Sequence, residues 1–288
     1  MNRLHALVPL KTLTAAKSRL ASVLTPSERS SLVEAMARDV LGILAGHEDI
    51  ASVTLLSNDP AAHSLAAECG AGFVDEDTLA GRGLNAVVME SAALLAAEGA
   101  QSILVVHGDV PALQAADVSA ALQAHRASAG LVIATDSGRC GSNLMLFAAA
   151  TPPEFHYGEN SCHFHSQWAR DRGIDVCVLQ RPGLALDVDE PEDLQALIGN
   201  TNLGAHTAAY LARSGLASRL LPPSGDQWRQ LSTTLAEGRL PDVPQALSLA
   251  AVTDTPALMV LAGKCRDRGH GNGITYSRKV FRQLTQLC

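Results

Sequence analysis

The residues best placed to do phosphate chemistry are two lysines and three aspartates. The first 199 residues contain only Lys11 and Lys17, both in PLKTLTAAKSRL directly after the first strand-like run, and Arg19 follows them. The same region holds 24 acidic residues against 12 basic ones. Cations gathered at one strand end of so acidic a region point to a bound anion, with a solvated helix start as the ordinary alternative. No G-x-x-x-x-G-K-[ST] run occurs, which excludes a Walker loop. In VVHGDVPAL, Asp109 closes an apolar run between a glycine and a proline-limited turn. A carboxylate there can hold a divalent cation over a sheet edge or simply cap a turn. In PGLALDVDEPEDLQAL, alternation places Asp187 and Asp189 on one face of a strand, where they repel unless a cation or proton lies between them. Capping of the helix opened by Pro191, through Asp189 or Glu190, is the competing role. With Asp109, the two aspartates supply the oxygen ligands Mg2+ prefers and leave room for substrate phosphates.

A second group sits in YGENSCHFHSQWARD. Gly158 frees the backbone and Ser161 reads as the N-cap of a helix running to about Arg172, whose first N–H groups can bind phosphate or carboxylate. His156, Cys162, His163 and His165 invite a zinc reading, but alternate residues on a helix do not face one another and the spacing fits no zinc pattern. AGRGLNAVV contains Gly81-x-Gly83-x-x-Ala86. It does not follow the first strand of a βαβ unit, so it is a weak dinucleotide fingerprint. A glycine-flanked loop of this kind can still approach a nucleotide base or ribose closely.

The elements that position these residues alternate. Short apolar runs at 4–10, 52–57, 102–107, 130–135, 143–148 and 175–180 suit buried strands. Helical patterns lie between them. The clearest opens at Thr25, with Pro26 at the first helical position and Glu28 completing a capping box; others start near Pro60, Gly83, Ala115, Ser161 and Pro191. This order predicts an α/β fold with a mostly parallel sheet covered by helices on both faces, whose ligands sit at the carboxyl ends of strands. Only DSGRCGS separates 130–135 from 143–148, which predicts a hairpin and a mixed sheet.

Net charge changes sign near Gly199. Residues 200–288 carry 10 basic and 5 acidic residues, so the sequence divides into 1–199 and a mainly helical extension, 200–288. The arginines of the extension are scattered without interleaved aromatics, which argues against nucleic acid. No apolar run approaches the roughly 18 residues that cross a bilayer, and no signal-peptide core follows Met1. The 6 cysteines form no C-x-x-C pair, as expected of reduced thiols in the cytoplasm.

VPLKTLTAAKSRL, GRGLN, HGDVP, the GSN of 141–143, YGENS and PGLALDVDEPEDL occur in an order that resembles the 2-phospho-L-lactate and phosphoenolpyruvate guanylyltransferases of coenzyme F(420) biosynthesis. The resemblance spans about residues 4–198 and implies a Rossmann-like nucleotidyltransferase fold. It implies transfer of GMP from GTP to the phosphate of phosphoenolpyruvate, 2-phospho-L-lactate or 3-phospho-D-glycerate, with Mg2+ required. Asp109, Asp187 and Asp189 would hold the metal. Lys17, helped by Lys11 and Arg19, would steady the departing pyrophosphate, with Gly83 and Asn85 at the nucleotide. Ser142, Gly158 and Ser161 would hold the acceptor. The expected partners are small molecules and the downstream pathway enzyme that receives the product. Ser142 stands where many members have Thr, and CHFH is unusually rich in histidine; both changes fall near the acceptor pocket. Transfer to a molybdopterin or sugar phosphate, or a non-catalytic GTP-binding module, are the competing readings. Finally, RDRGHGNGITYSRKVFRQLTQLC resembles the start of deazaflavin (Fo) synthase up to the first of its three cluster cysteines, at Cys288. The resemblance implies that residues 200–288 are the truncated N-terminal segment of an Fo-synthase-like radical S-adenosylmethionine domain, with a dedicated helical extension as the alternative. One thiolate cannot hold an iron–sulfur cluster, so none is expected in this chain.

Overall fold

The computed structural model describes residues 4–13, 17–128, 130–221, 223–252 and 254–270. Its core is a seven-stranded sheet of β1 (Leu4–Pro9), β2 (Ile50–Ser57), β3 (Gly72–Asp75), β4 (Ser102–Val106), β5 (Leu131–Thr135), β6 (Leu144–Ala148) and β7 (Val176–Gln180). The strand order is β3-β2-β1-β4-β6-β5-β7. All pairs are parallel except those of β6, which runs antiparallel to both β4 and β5. The expected β5–β6 hairpin is therefore present, and it inserts one reversed strand into the sheet.

Both faces are apolar because the central strands are continuous Val/Ile/Leu runs. On one face Leu7, Ile103, Val105, Ile133 and Met145 pack with residues of α3 (Leu84–Ala97) and α5 (Ser161–Arg170). Their alternate neighbours Ala6, Val8, Leu104, Val132 and Leu146 are also fully buried. Such double coverage is what all-apolar strands require. Away from that cluster, α1 (Pro26–Ala45) and α4 (Ala115–Ser128) touch through His47, which follows α1 and meets Ser119 Oγ at 3.0 Å. Helix α1 starts as the sequence predicts: Thr25 accepts from the Glu28 amide, and Glu28 accepts from the Thr25 amide at 2.8 Å. Between β2 and β3 lies α2 (Pro60–Glu68), and α6 (Pro191–Gly199) follows β7. Edge strand β3 is absent from the sequence reading. With only four residues, none of them fully buried, it gives little hydrophobic signal.

The first compact unit extends past the charge boundary, to Ser214. The reason is α7 (Ala205–Ser214), which packs along α1. Buried Asp39 of α1 caps it, accepting from the His206 and Thr207 amides at 2.9 and 2.8 Å. Tyr210 adds a hydroxyl bond to the Glu28 carbonyl. Only glycine fits at 204, since a Cβ there would lie 2.1 Å from Asp39 Cγ. A chain ending at Ser214 is expected to melt higher than one ending at Gly199 by about 2–8 °C. That is the shift expected for a unit of this size when a buried cap worth ~1–2 kcal/mol is lost. Equal melting temperatures would show that α7 contributes nothing to the first unit.

The second unit, from Gly215, is helical: α8 (Leu216–Leu220), α9 (Gly225–Ala236), α10 (Val243–Ser248) and α11 (Thr255–His270). The strand-like GITYSRKVF run and Cys288 lie outside the described residues. Among the described residues, no helix is long and apolar enough to cross a membrane.

Candidate active site

The carboxyl edge of the sheet collects the residues that the sequence singles out. After β1, Leu10 donates to the Leu56 carbonyl and Leu13 donates to buried Asp59 at 2.7 Å, so the lysine loop is pinned to the end of β2. Lys17 closes that loop in the left-handed region, at φ 55°. Its ammonium touches Asp109, just beyond β4, and lies 2.6 Å from Asp189 Oδ1, ahead of α6. The Lys17 side chain is 7% exposed, so this is a desolvated cation between two acids. Arg19 forms an exposed pair with Glu190 at 3.1 Å, and Lys11 is exposed at the loop's start.

Asp187 and Asp189 do not sit on a strand. Residues 186–189 are irregular backbone after a short 3-10 turn at Pro182–Leu184, and no neighbouring strand pairs with them. The capping reading is realised at Glu190, the N-cap of α6, which forms a capping box with Asp193; the Asp193 carboxylate accepts from the Asp189 and Glu190 amides at 3.0 and 2.8 Å. That cap leaves the carboxylates of Asp187 and Asp189 for the site.

The electrostatics show acids in excess of cations. Burial alone would raise the Asp109 carboxyl, but the Lys17 ammonium and then His107 outweigh it and hold Asp109 below the usual range. Burial works against the charge of Lys17 as well, yet Asp109 and Asp189 keep it raised. For Asp187, burial and the nearby charges of Asp109 and Asp189 act together and push its carboxyl to about 6. Asp109 Oδ1 is buried without a hydrogen-bond partner among the described residues. An unpartnered carboxylate oxygen beside a crowded second acid fits a hard divalent cation. Among the described residues no three such side chains converge as a ready-made metal cluster; the Lys17 ammonium is the cation placed between Asp109 and Asp189.

Ser142 and Ser161 lie together at the start of β6 and of α5. In the β5–β6 hairpin, Asp136 Oδ1 accepts from the Cys140 and Gly141 amides at 2.8 and 3.1 Å, which fixes Ser142 at the start of β6. Ser161 Oγ lies 3.2 Å from Ser142 Oγ. The cap of α5 differs from the sequence reading: Asn160, at φ 58°, precedes the helix without a side-chain cap, and Ser161 is its first residue. The first helical amides are already used, since Ser161 donates to Gly158, Cys162 to Cys140 and His163 to Asn160. The buried Ser142 and Ser161 hydroxyls, together with the Gly158 loop, are therefore what this end offers an anion. At the other wall, Gly83 opens α3 at φ 80°, and Asn85 Oδ1 accepts from the Tyr157 amide at 2.8 Å. The start of α3 and the loop before α5 are thus joined directly.

Sequence reasoning missed Asp136, His107, Tyr157 and the placement of His165. A hydrophilic DSGRCGS turn gives no sign that its first aspartate gathers two amides. His165 is fully buried while His163 is exposed, so these histidines do not share a metal.

A family model described as "Guanylyl transferase CofC like" matches residues 4–225. The chain belongs to this family. Among relatives of this CofC-like chain, a phosphoenolpyruvate guanylyltransferase of Rubrobacter xylanophilus is 38% identical over 67% of the chain and 92% of its own length. A 3-phospho-D-glycerate guanylyltransferase of Phenylobacterium zucineum is 38% identical over 71% of the chain and 92% of its own length. A crystal structure from Desulfovibrio desulfuricans G20, described as a nucleotide-diphospho-sugar transferase, superposes with a TM-score of 0.64. It is 17% identical and covers 76% of this chain and 99% of that one, which shows a shared fold. This CofC-like chain is a nucleotidyltransferase, which sets aside the reading of an inert GTP-binding module.

Proposed function

We propose that the chain moves GMP from GTP to the phosphate of a small phospho-acid and releases pyrophosphate, supplying the guanylylated acid to coenzyme F(420) assembly. The observation that carries this reading is the desolvated Lys17 ammonium between Asp109 and Asp189, on the sheet edge that also presents Ser142 and Ser161. On this reading, groups suited to a polyphosphate lie beside groups suited to a second anion.

No general base is needed, because a phosphate acceptor is already ionised near neutral pH. The residues then act by positioning the two substrates in line and by neutralising charge. Asp109, Asp187 and Asp189 would hold Mg2+, which when bound supplies positive charge to the phosphates. Lys17 is a compact point charge on a flexible stem, suited to the departing pyrophosphate. Exposed Lys11 and Arg19, the latter paired with Glu190, are the other cations near it. The loop of Gly83 and Asn85 borders the nucleotide, and Ser142, Gly158 and Ser161 border the acceptor. All of these residues belong to the first unit, which ends at Ser214.

Mass spectrometry of products from GTP, offered phosphoenolpyruvate, 2-phospho-L-lactate and 3-phospho-D-glycerate separately, tests the assignment. A guanylylated acid and pyrophosphate are expected from at least one acid, with phosphoenolpyruvate the first candidate given the Rubrobacter relative. Absence of product from all three, or equal product from a molybdopterin or sugar phosphate, would reject it.

A further inference from the structure

The floor beneath the acceptor hydroxyls is a buried polar network whose donors and acceptors can be counted. His165 of α5 is fully buried, its ring edge-on to Phe155 and Tyr157. The backbone amide of His156 donates to His165 Nε2 at 2.9 Å. A nitrogen that accepts cannot also carry a proton, so in the neutral ring the proton is on Nδ1. His165 Nδ1 lies 3.0 Å from Ser142 Oγ, and the Nδ1–H therefore donates to that oxygen. Burial first, and then the charges of His156 and His107, push the His165 imidazole down to about 4, which keeps this neutral tautomer in place at ordinary pH.

The serines complete the count. Ser142 and Ser161 bring two hydroxyl protons, and their 3.2 Å contact uses one. With Ser142 already accepting from His165, no described protein group takes the other proton. Both serines are buried, at 3% and 2% exposure of the whole residue, so few water molecules reach the pair. A buried O–H donor without an acceptor costs free energy, and an oxyanion is the acceptor that would relieve it.

We propose that His165 is a positioning residue for the acceptor: by donating to Ser142 it forces the spare hydroxyl proton of the Ser142–Ser161 pair toward the phospho-acid. This rests on the acceptor assignment above and adds to it the residue that sets hydroxyl direction. The His156 amide belongs to the same device, because it selects the tautomer. Through this one amide the loop before α5 sets the donor pattern of the serine pair.

Two near-isosteric variants separate this role from simple packing. In His165→Asn the side-chain amide replaces Nδ1 and can still donate to Ser142, but nothing accepts from the His156 amide. In His165→Gln the side-chain end replaces Nε2 and can still accept from His156, but Ser142 loses its donor. Calorimetric titration with whichever acid the wild-type chain binds most tightly, with Mg2+ present, reads the acceptor site directly. His165→Gln is expected to weaken the acid's Kd by about tenfold or more, on the scale of one hydrogen bond to a charged group. His165→Asn is expected to stay within about threefold of wild type, and the Kd for GTP should be unchanged in both. The reverse order, or equal damage in the two variants, would overturn the proposal and leave His165 as support for the loop. A wild-type chain that binds the acid yet transfers no guanylyl group would reject the proposed function, while the order of the two variants would still decide the role of His165. A wild-type chain that binds none of the acids would reject both.

Discussion

Asp109→Asn is expected to lower guanylyl transfer at least a hundredfold with the fold intact. The substitution keeps the shape of the side chain at the end of β4 and removes only its charge. The loss falls on a carboxylate that touches Lys17 through one oxygen and leaves the other buried without a partner. A neutral amide can neither hold a divalent cation as a carboxylate does nor compensate the ammonium beside it. Deleting one preorganised electrostatic group typically costs about 10²–10³ in turnover. Steady-state kcat with saturating GTP, acid and Mg2+ gives the number, and a thermal melt shows whether the sheet survives. Turnover at the wild-type level would remove Asp109 from the chemistry.

Lys17→Met should reduce kcat/KM for GTP by about two decades, while the acceptor's Kd moves little. The ammonium sits beside Asp109 and Asp189, and the hydroxyls proposed for the acceptor come from Ser142, just before β6, and Ser161 of α5. The variant carries a second signature that needs no turnover. Without Lys17, the carboxylates of Asp109, Asp187 and Asp189 share one edge with no ammonium between them, so the protein should melt below wild type in the absence of divalent cation. Adding Mg2+ should raise that melting temperature by more than it raises the wild type's, because the metal then restores the missing positive charge. An effect confined to the acid would move Lys17 to the other pocket. A Mg2+ response no larger than wild type's would mean that the three acids do not act as one site.

Strand ends were legible because the buried strands are unbroken apolar runs with abrupt polar limits, so Lys11, Lys17 and Asp109 could be placed before any coordinates. The capping box at Thr25–Glu28 was legible because it is written within four residues. What failed to show is what depends on distant partners. Asp187 and Asp189 alternate like strand residues, yet β-structure needs a neighbour, and among the described residues no strand pairs with 186–189. The unit boundary was placed by a change in surface charge, whereas packing sets it through the contact of Gly204 with Asp39, 165 positions earlier in sequence. His165 was hidden for a similar reason. A histidine between polar neighbours reads as surface or metal-binding until the fold shows it facing Ser142.

The reversed strand β6 also bears on how such a protein can diverge. Because β6 runs against β4 and β5, one short hairpin leaves the sheet's carboxyl edge at Thr135 and returns to it at Asn143. Both ends are clamped by strand pairing, and Asp136 organises the turn from within. Substitutions or small insertions among residues 137–141 can therefore remodel the turn beside Ser142, on the side proposed for the acceptor, without shifting any strand register or disturbing Lys17 and Asp109. The hairpin is a mutationally permissive module beside an intolerant one. Lineages sharing the nucleotide half of this scaffold could trade one phospho-acid for another through it, at little cost to folding.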